Sequence, residues 1–255
     1  MKTLLRRAAL LAVMLVTALG SAYVGLRVGR QMERNIQCCQ LLKRRNLPLS
    51  LRETLGLAPP FYSQIGQDKW VLERMFPGER NGFFLDVGSA DGTQLSNSKA
   101  LEERGWTGIC VDPFPKNMEG RTCRMIRAVV FSEPGRTMRF HTAGDTGGLA
   151  DTLGALKGWA GAAPTVELTT TTLQAILQEA KAPDLIHFVS LDIEGAELEA
   201  LKAFPFEKHR IGAMAVEHNF EEPKRSDIEK LMKRQGYRRV HSWQQDDFYA
   251  PVRAK

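Results

Sequence analysis

Cysteine is scarce in this sequence: the 255 residues hold four, Cys38, Cys39, Cys110 and Cys123. Their spacing matches neither a zinc site nor a disulfide framework, so reduced, structural thiols are the expectation. Cys38 and Cys39 are adjacent and poorly placed to bond to each other; just past a membrane they would be open to acylation. Aromatic residues are few as well, and no basic stripe with interleaved aromatics occurs. A basic excess is also missing once the chain is divided. The net charge of +6 belongs to residues 1–45, where nine Lys or Arg face one acid, Glu33. The remainder carries 26 basic and 28 acidic residues, which argues against a nucleic-acid-binding module. The G-x-G-x-x-G fingerprint of dinucleotide binding is absent, which argues against a nicotinamide oxidoreductase. Internal repeats and long low-complexity tracts are lacking too.

What is present begins with an uncharged run from Ala8 to Leu26, behind a basic tail at residues 1–7. As a helix its nineteen residues rise about 28 Å, close to the thickness of a bilayer core. A single transmembrane helix over 8–26 is the expectation. A cleaved signal peptide with its core at Ala8–Leu19, or a mitochondrial presequence, are the alternatives. Lys2, Arg6 and Arg7 flank the run on one side; Arg27, Arg30, Arg34, Lys43, Arg44 and Arg45 follow it. That balance places the rest of a single-pass membrane protein on the cytosolic face, with the secretory lumen and the mitochondrion as alternatives. Residues 27–60 read as a basic juxtamembrane linker closed by Pro59-Pro60, and 61–255 as the domain.

From Phe61 onward apolar runs alternate with helical patterns, the signature of an α/β fold. Strands are expected over Gly82–Gly88, Thr107–Asp112, Met125–Val130, Leu185–Asp192 and Ile211–Glu217. YRRVHSW and DDFYAP read as a closing antiparallel pair. Helices are expected over Ser96–Gly105, Thr170–Ala180, AELEALKAF and about Ser226–Gln235. Residues 141–166, rich in Gly, Ala and Thr, read as a loop or lid. Four strands end in an acid: Asp86, Asp112, Asp192 and Glu217. Ligands of open α/β sheets bind outside the carboxyl ends of the strands, so four acids in one register point to a cleft.

LDVGSADG, Leu85–Gly92, joins a strand to a helix. It resembles the first motif of class I S-adenosylmethionine (SAM) methyltransferases, D-x-G-x-G-x-G, with Ala90 in place of the middle glycine. The resemblance implies that Asp86, Gly88, Ser89 and Gly92 surround the cofactor, with Asp86 toward its positively charged methionine end. Asp112, twenty residues after Gly92 at the end of the next strand, is placed to accept both ribose hydroxyls.

With SLDIEGAE, Ser190–Glu197, added, the chain resembles the FkbM family of SAM-dependent methyltransferases. YSQIGQDKWVL, SNSKALEERGWTGICVDPFP, TTLQAIL and GYRRVHSWQQDDFYAP resemble its other segments in order, over about Phe61–Pro251. The resemblance implies a Rossmann-like, seven-stranded, mostly parallel sheet flanked by helices. It also implies SAM as cofactor and O-methylation of a hydroxyl on a sugar, glycan or other small-molecule acceptor. A membrane-tethered adaptor with the fold but no turnover is the alternative. Asp192, Glu217 and His218 are the candidate catalytic residues. Asp192 would take the acceptor's proton or bind a divalent cation, although no cation is required by the sequence. His218 is the base if one must titrate near neutrality. Gln67, ahead of the first core strand, would fold over the cofactor. Glu194 faces either the cleft or loop amides, whereas Glu197 and Glu199 suit a helix start. Trp70 and Trp106 read as core.

Overall fold

The structure, a computed structural model, describes residues 61–154 and 157–252. The described residues form one compact unit. Its main sheet is built from β1 (Phe83–Val87), β2 (Thr107–Val111), β3 (Arg124–Ile126), β8 (Leu185–Leu191), β9 (Arg210–Glu217), β10 (Tyr237–Trp243) and β11 (Asp246–Pro251). Across the sheet the order is β10-β11-β9-β8-β1-β2-β3. β1 lies centrally, parallel to β2 on one side and β8 on the other, and four of its five residues are fully buried. That burial on both faces is why FFLDV is nearly all apolar.

The single, mostly parallel sheet expected from the sequence is not what forms. The main sheet is mixed, because β11 runs antiparallel to both β9 and β10. A second, four-stranded sheet stands beside it in the order β4-β7-β5-β6. Its strands are β4 (Val129–Val130), β5 (Thr137–His141), β6 (Gly148–Leu149) and β7 (Thr165–Thr171). Two of its three pairings are antiparallel. The run Met125–Val130, read as one strand, is divided between the sheets. Ile126 pairs with Val111, whereas Val129 and Val130 pair with Thr170 and Thr171. Residues 141–166 are likewise not one loop, since they contain β6 and the first residues of β7.

Among the described residues no helix is long and apolar enough to cross a membrane. The transmembrane helix expected at 8–26, like the linker at 27–60, lies outside the described residues.

The helices are short. α1 (Gln67–Trp70) continues as a π turn, Val71–Met75. α2 (Lys99–Glu102) is a single turn, and Ser96 Oγ accepts from Lys99 N at its start. After α3 (Lys157–Ala160) comes α4 (Leu173–Glu179), capped by Thr172, whose Oγ accepts from Ala175 N at 3.2 Å. α5 (Glu197–Lys202) follows β8, and α6 (Lys224–Arg234) precedes β10. Leu173, Ile176 and Leu177 of α4 join Leu201, Ile228 and Met232 in one core against β1, β8 and β9. Trp106, Phe84 and Phe188 form the core of the other face, as expected for Trp106, whereas Trp70 is half-buried and packs against that core.

The expectation of four reduced thiols is corrected at one pair. Cys110 on β2 and Cys123 just before β3 form a disulfide, their Cα atoms 5.9 Å apart and thirteen positions apart in sequence. β2 and β3 are neighbours, so the fold brings together two cysteines whose linear spacing matches no framework.

Candidate functional site

The carboxyl ends of β1, β2, β8 and β9 open into one cavity of about 550 Å³. Gln67, Asp86, Gly88, Ser89, Asp112, Asp192 and Glu217 all line it. Val130, Phe140 and Leu149 of the second sheet form its far wall, so the region read as a lid supplies structure to the site. Phe114, exposed at the mouth, stands 5.6 Å from Phe140, ring to ring.

The loop after β1 is shaped by backbone contacts. Gly88 has φ +86, and a Cβ there would lie 1.6 Å from the Asp192 carbonyl oxygen. Only glycine fits, because the chain leaving β1 meets the chain leaving β8 backbone to backbone. The Gly88 N–H donates to Val111 O, pinning the loop to β2 as well. Asp112 holds the next turn: its carboxylate accepts from Ala90 N at 2.9 Å and from Phe114 N at 2.7 Å.

Asp86 is buried and accepts from Ser98 Oγ. Burial pushes its carboxyl above the usual range, against the Ser98 bond and the positive charge of Arg121. Arg121 donates to Ser98 Oγ at 2.8 Å and pairs with Glu102, closing a buried polar chain beneath the loop. Gly92 does not line the cavity. Its N–H donates to Lys116 O, and a Cβ there would meet Asn117 O at 2.4 Å, so it packs the loop against residues 116–118.

The acids after β8 and β9 converge. One oxygen from each of Asp192, Glu194 and Glu217 lies within 4.8 Å of the others. Glu194 reaches the group from a left-handed backbone, φ +55, in the turn before α5. Asn219 Nδ2 donates to Glu217 Oε2 at 2.7 Å and approaches Glu194 Oε2 at 3.4 Å, holding both. Burial raises all three carboxyls, and a negative neighbour adds to it in each case: Glu194 for Asp192, Asp192 for Glu217 and Glu197 for Glu194. Glu194 is pushed up to about 7 and Glu217 to about 12, while Asp192 rises well above the usual range. Glu197 does different work: its Oε1 accepts from Ile193 N and Gly195 N, and its Oε2 accepts from Lys224 Nζ at 3.0 Å. Glu199 bonds Ser132 and Lys202 outside the cavity.

His218 turns away from the cavity. It is buried, its Nδ1 accepts from Phe220 N, and its Nε2 stands 3.6 Å from Asp247 Oδ1. The tautomer that accepts at Nδ1 carries its proton on Nε2, toward Asp247. His218 is therefore near Glu217 in sequence but does not share its cavity.

Three polar residues escaped the sequence reading. Asn97 lines the cavity and donates from Nδ2 to Ser190 Oγ at 2.8 Å, with Oδ1 buried and unbonded among the described residues. Asn219 bridges the acids, and nothing in its sequence context marks it. Asp246 begins β11 directly opposite Glu217 and accepts from Gln67 Nε2 at 2.9 Å. Burial raises its carboxyl to about 6 against the Gln67 bond. The adjacent acids at the head of an apolar strand, DDFYA, were the available signal.

A family model described as the methyltransferase FkbM domain matches residues 86–239. No curated protein and no solved structure matches the chain.

Proposed function

Because the chain belongs to the FkbM methyltransferase family, we propose that this methyltransferase uses SAM to O-methylate a hydroxyl of a sugar, glycan or other small-molecule acceptor in the cavity at the strand ends. The observation that carries this reading is the joining in one cavity of the β1 loop, Asp112 and the acids after β8 and β9. Asp112, in the cavity wall at the end of β2, would meet the ribose hydroxyls, and Ser89, whose buried Oγ has no partner among the described residues, would meet another polar group of the cofactor. The cofactor supplies the electrophilic methyl carbon. The residues supply alignment and a proton acceptor. The acceptor oxygen bonds to the methyl carbon as the carbon–sulfur bond breaks. The hydroxyl proton would pass to Asp192 in its ionised form. Glu217, level with Asp192 at the end of the neighbouring strand, would help to hold it in place.

Titration calorimetry of the full chain with SAM, S-adenosylhomocysteine and NAD tests the reading. Saturable binding of the first two, none of NAD, and at least tenfold weaker SAM binding in Asp112→Ala are expected. A folded chain that binds neither SAM nor its thioether product would overturn the reading in favour of a non-catalytic tether.

A further inference from the structure

Register places three carboxylates in a row across neighbouring strands. Leu191 pairs with Val216, so Asp192 and Glu217 lie level at the ends of β8 and β9, and Glu217 pairs with Asp246 on β11. Level partners in a sheet point to the same face. Glu194 completes the group from the following turn. Among the described residues no Lys or Arg is paired with any of the four. Lys224, near Glu194, is held by Glu197 at 3.0 Å and Glu221 at 3.3 Å.

Asp246 adds an observation of its own. Its side chain is 97% buried by a relative exposure of 3%, yet Oδ1 has no hydrogen-bond partner among the described residues. Its other oxygen is fixed by Gln67, a residue of the cavity wall. An unpaired buried carboxylate oxygen costs free energy unless something outside the protein chain answers it.

We propose that Asp192, Glu194 and Glu217 bind one divalent cation of the oxygen-preferring class, Mg²⁺ or Mn²⁺, with Asp246 behind them as an outer acceptor for a cation-bound water. The donor set is oxygen only, with no thiol or imidazole, which selects hard cations over zinc or copper. Asn219 orients two of the three ligands, as partners outside a metal's own ligand shell commonly do. Each carboxylate needs to lend only one oxygen, which leaves the second oxygen of Asp192 for the acceptor's proton. Resting on the methyltransferase reading, the open side of the ion would hold the acceptor hydroxyl, and acceptors with two neighbouring hydroxyls would be favoured by chelation.

The test is Mn²⁺ titration of the full-length, chelator-stripped protein, with free Mn²⁺ followed by electron paramagnetic resonance and no SAM present. One saturable site is expected. Glu194→Gln and Glu217→Gln should each weaken it at least tenfold, whereas Glu199→Gln, outside the cavity, should leave it unchanged. Mg²⁺ should compete for the same site. No saturable site in the unaltered protein, or an unchanged site in both Glu194→Gln and Glu217→Gln, overturns the proposal. Circular dichroism of each variant confirms folding, and Glu194→Gln, in a turn at the cavity wall, serves if Glu217→Gln does not fold. SAM titration of the same preparation separates the two readings. SAM binding without a Mn²⁺ site sinks the cation alone, and a Mn²⁺ site without SAM binding keeps the cation while sinking the cofactor assignment.

Discussion

At the scale of single residues, glycines carry two unlike burdens here. Gly135 has φ +78 and open space around its Cα, so its requirement is conformational only. Gly88 combines φ +86 with a carbonyl oxygen where a Cβ would sit. Gly135→Ala should therefore cost about 1 kcal/mol, the usual penalty for a side chain in the left-handed region. Gly88→Ala should cost about 3 kcal/mol or more, because overpacking adds to that penalty. Urea denaturation of the two variants measures the difference, and equal losses would show that the backbone contact at Gly88 is soft. The sequence revealed that the segment around Gly88 turns between a strand and a helix. It could not reveal the reason, since Asp192 is more than a hundred positions away and a contact of that range leaves no local mark. The same holds for Asp246. Its type was visible, but its place opposite Glu217 follows from a pairing that only the folded sheet defines.

Elements were legible where burial was continuous. β1, β2, β8 and β9 are central or next to central, and their apolar runs announce them. The second sheet was missed for a physical reason. β7 is mostly exposed and reads as TVELTTT, with a single fully buried position, so its stability comes from partners and not from its own pattern. β5 did carry a signal, since Met138 and Phe140 alternate with exposed neighbours in TMRFH. The disulfide belongs to this scale as well. It ties β2 to the approach of β3, and thirteen positions separate its ends. Closing a loop of that size restricts the unfolded chain by about 3 kcal/mol. Reduction, or Cys123→Ala, should lower unfolding free energy by about that amount. Denaturation with and without a thiol reductant checks this, and an unchanged midpoint would mean that the bridge contributes nothing to the folded state.

At the scale of the whole domain, one charge joins several pieces. Asp247 on β11 accepts from Arg225 of α6 through two bonds of 2.8 Å and from Arg239 of β10 at 3.0 Å, with His218 close by. Burial would raise its carboxyl, but His218, Arg225, Ser242 and Arg239 together hold it far below the usual carboxylate range. The folded state therefore binds that proton more weakly than the unfolded chain does. Its stabilisation is complete above about pH 5 and is lost as the pH falls below about 4. Asp247→Asn should cost about 2–3 kcal/mol near neutrality, as hydrogen bonds to charged partners do. It should also flatten the decline in stability between about pH 5 and 3. Unfolding curves across that range decide the matter, and parallel declines for variant and parent would assign the acid sensitivity to other groups.

The meeting of Gly88 with the Asp192 carbonyl has a consequence for how such a domain changes its tastes. The loop after β1 and the acid turn share one atomic seam with no slack, so neither can drift without carrying the other. New preferences would therefore arise at the rim, around Leu95 and Phe114, which line the cavity with exposed side chains. A library randomised at those two positions would vary the mouth of the cavity while the seam stays fixed.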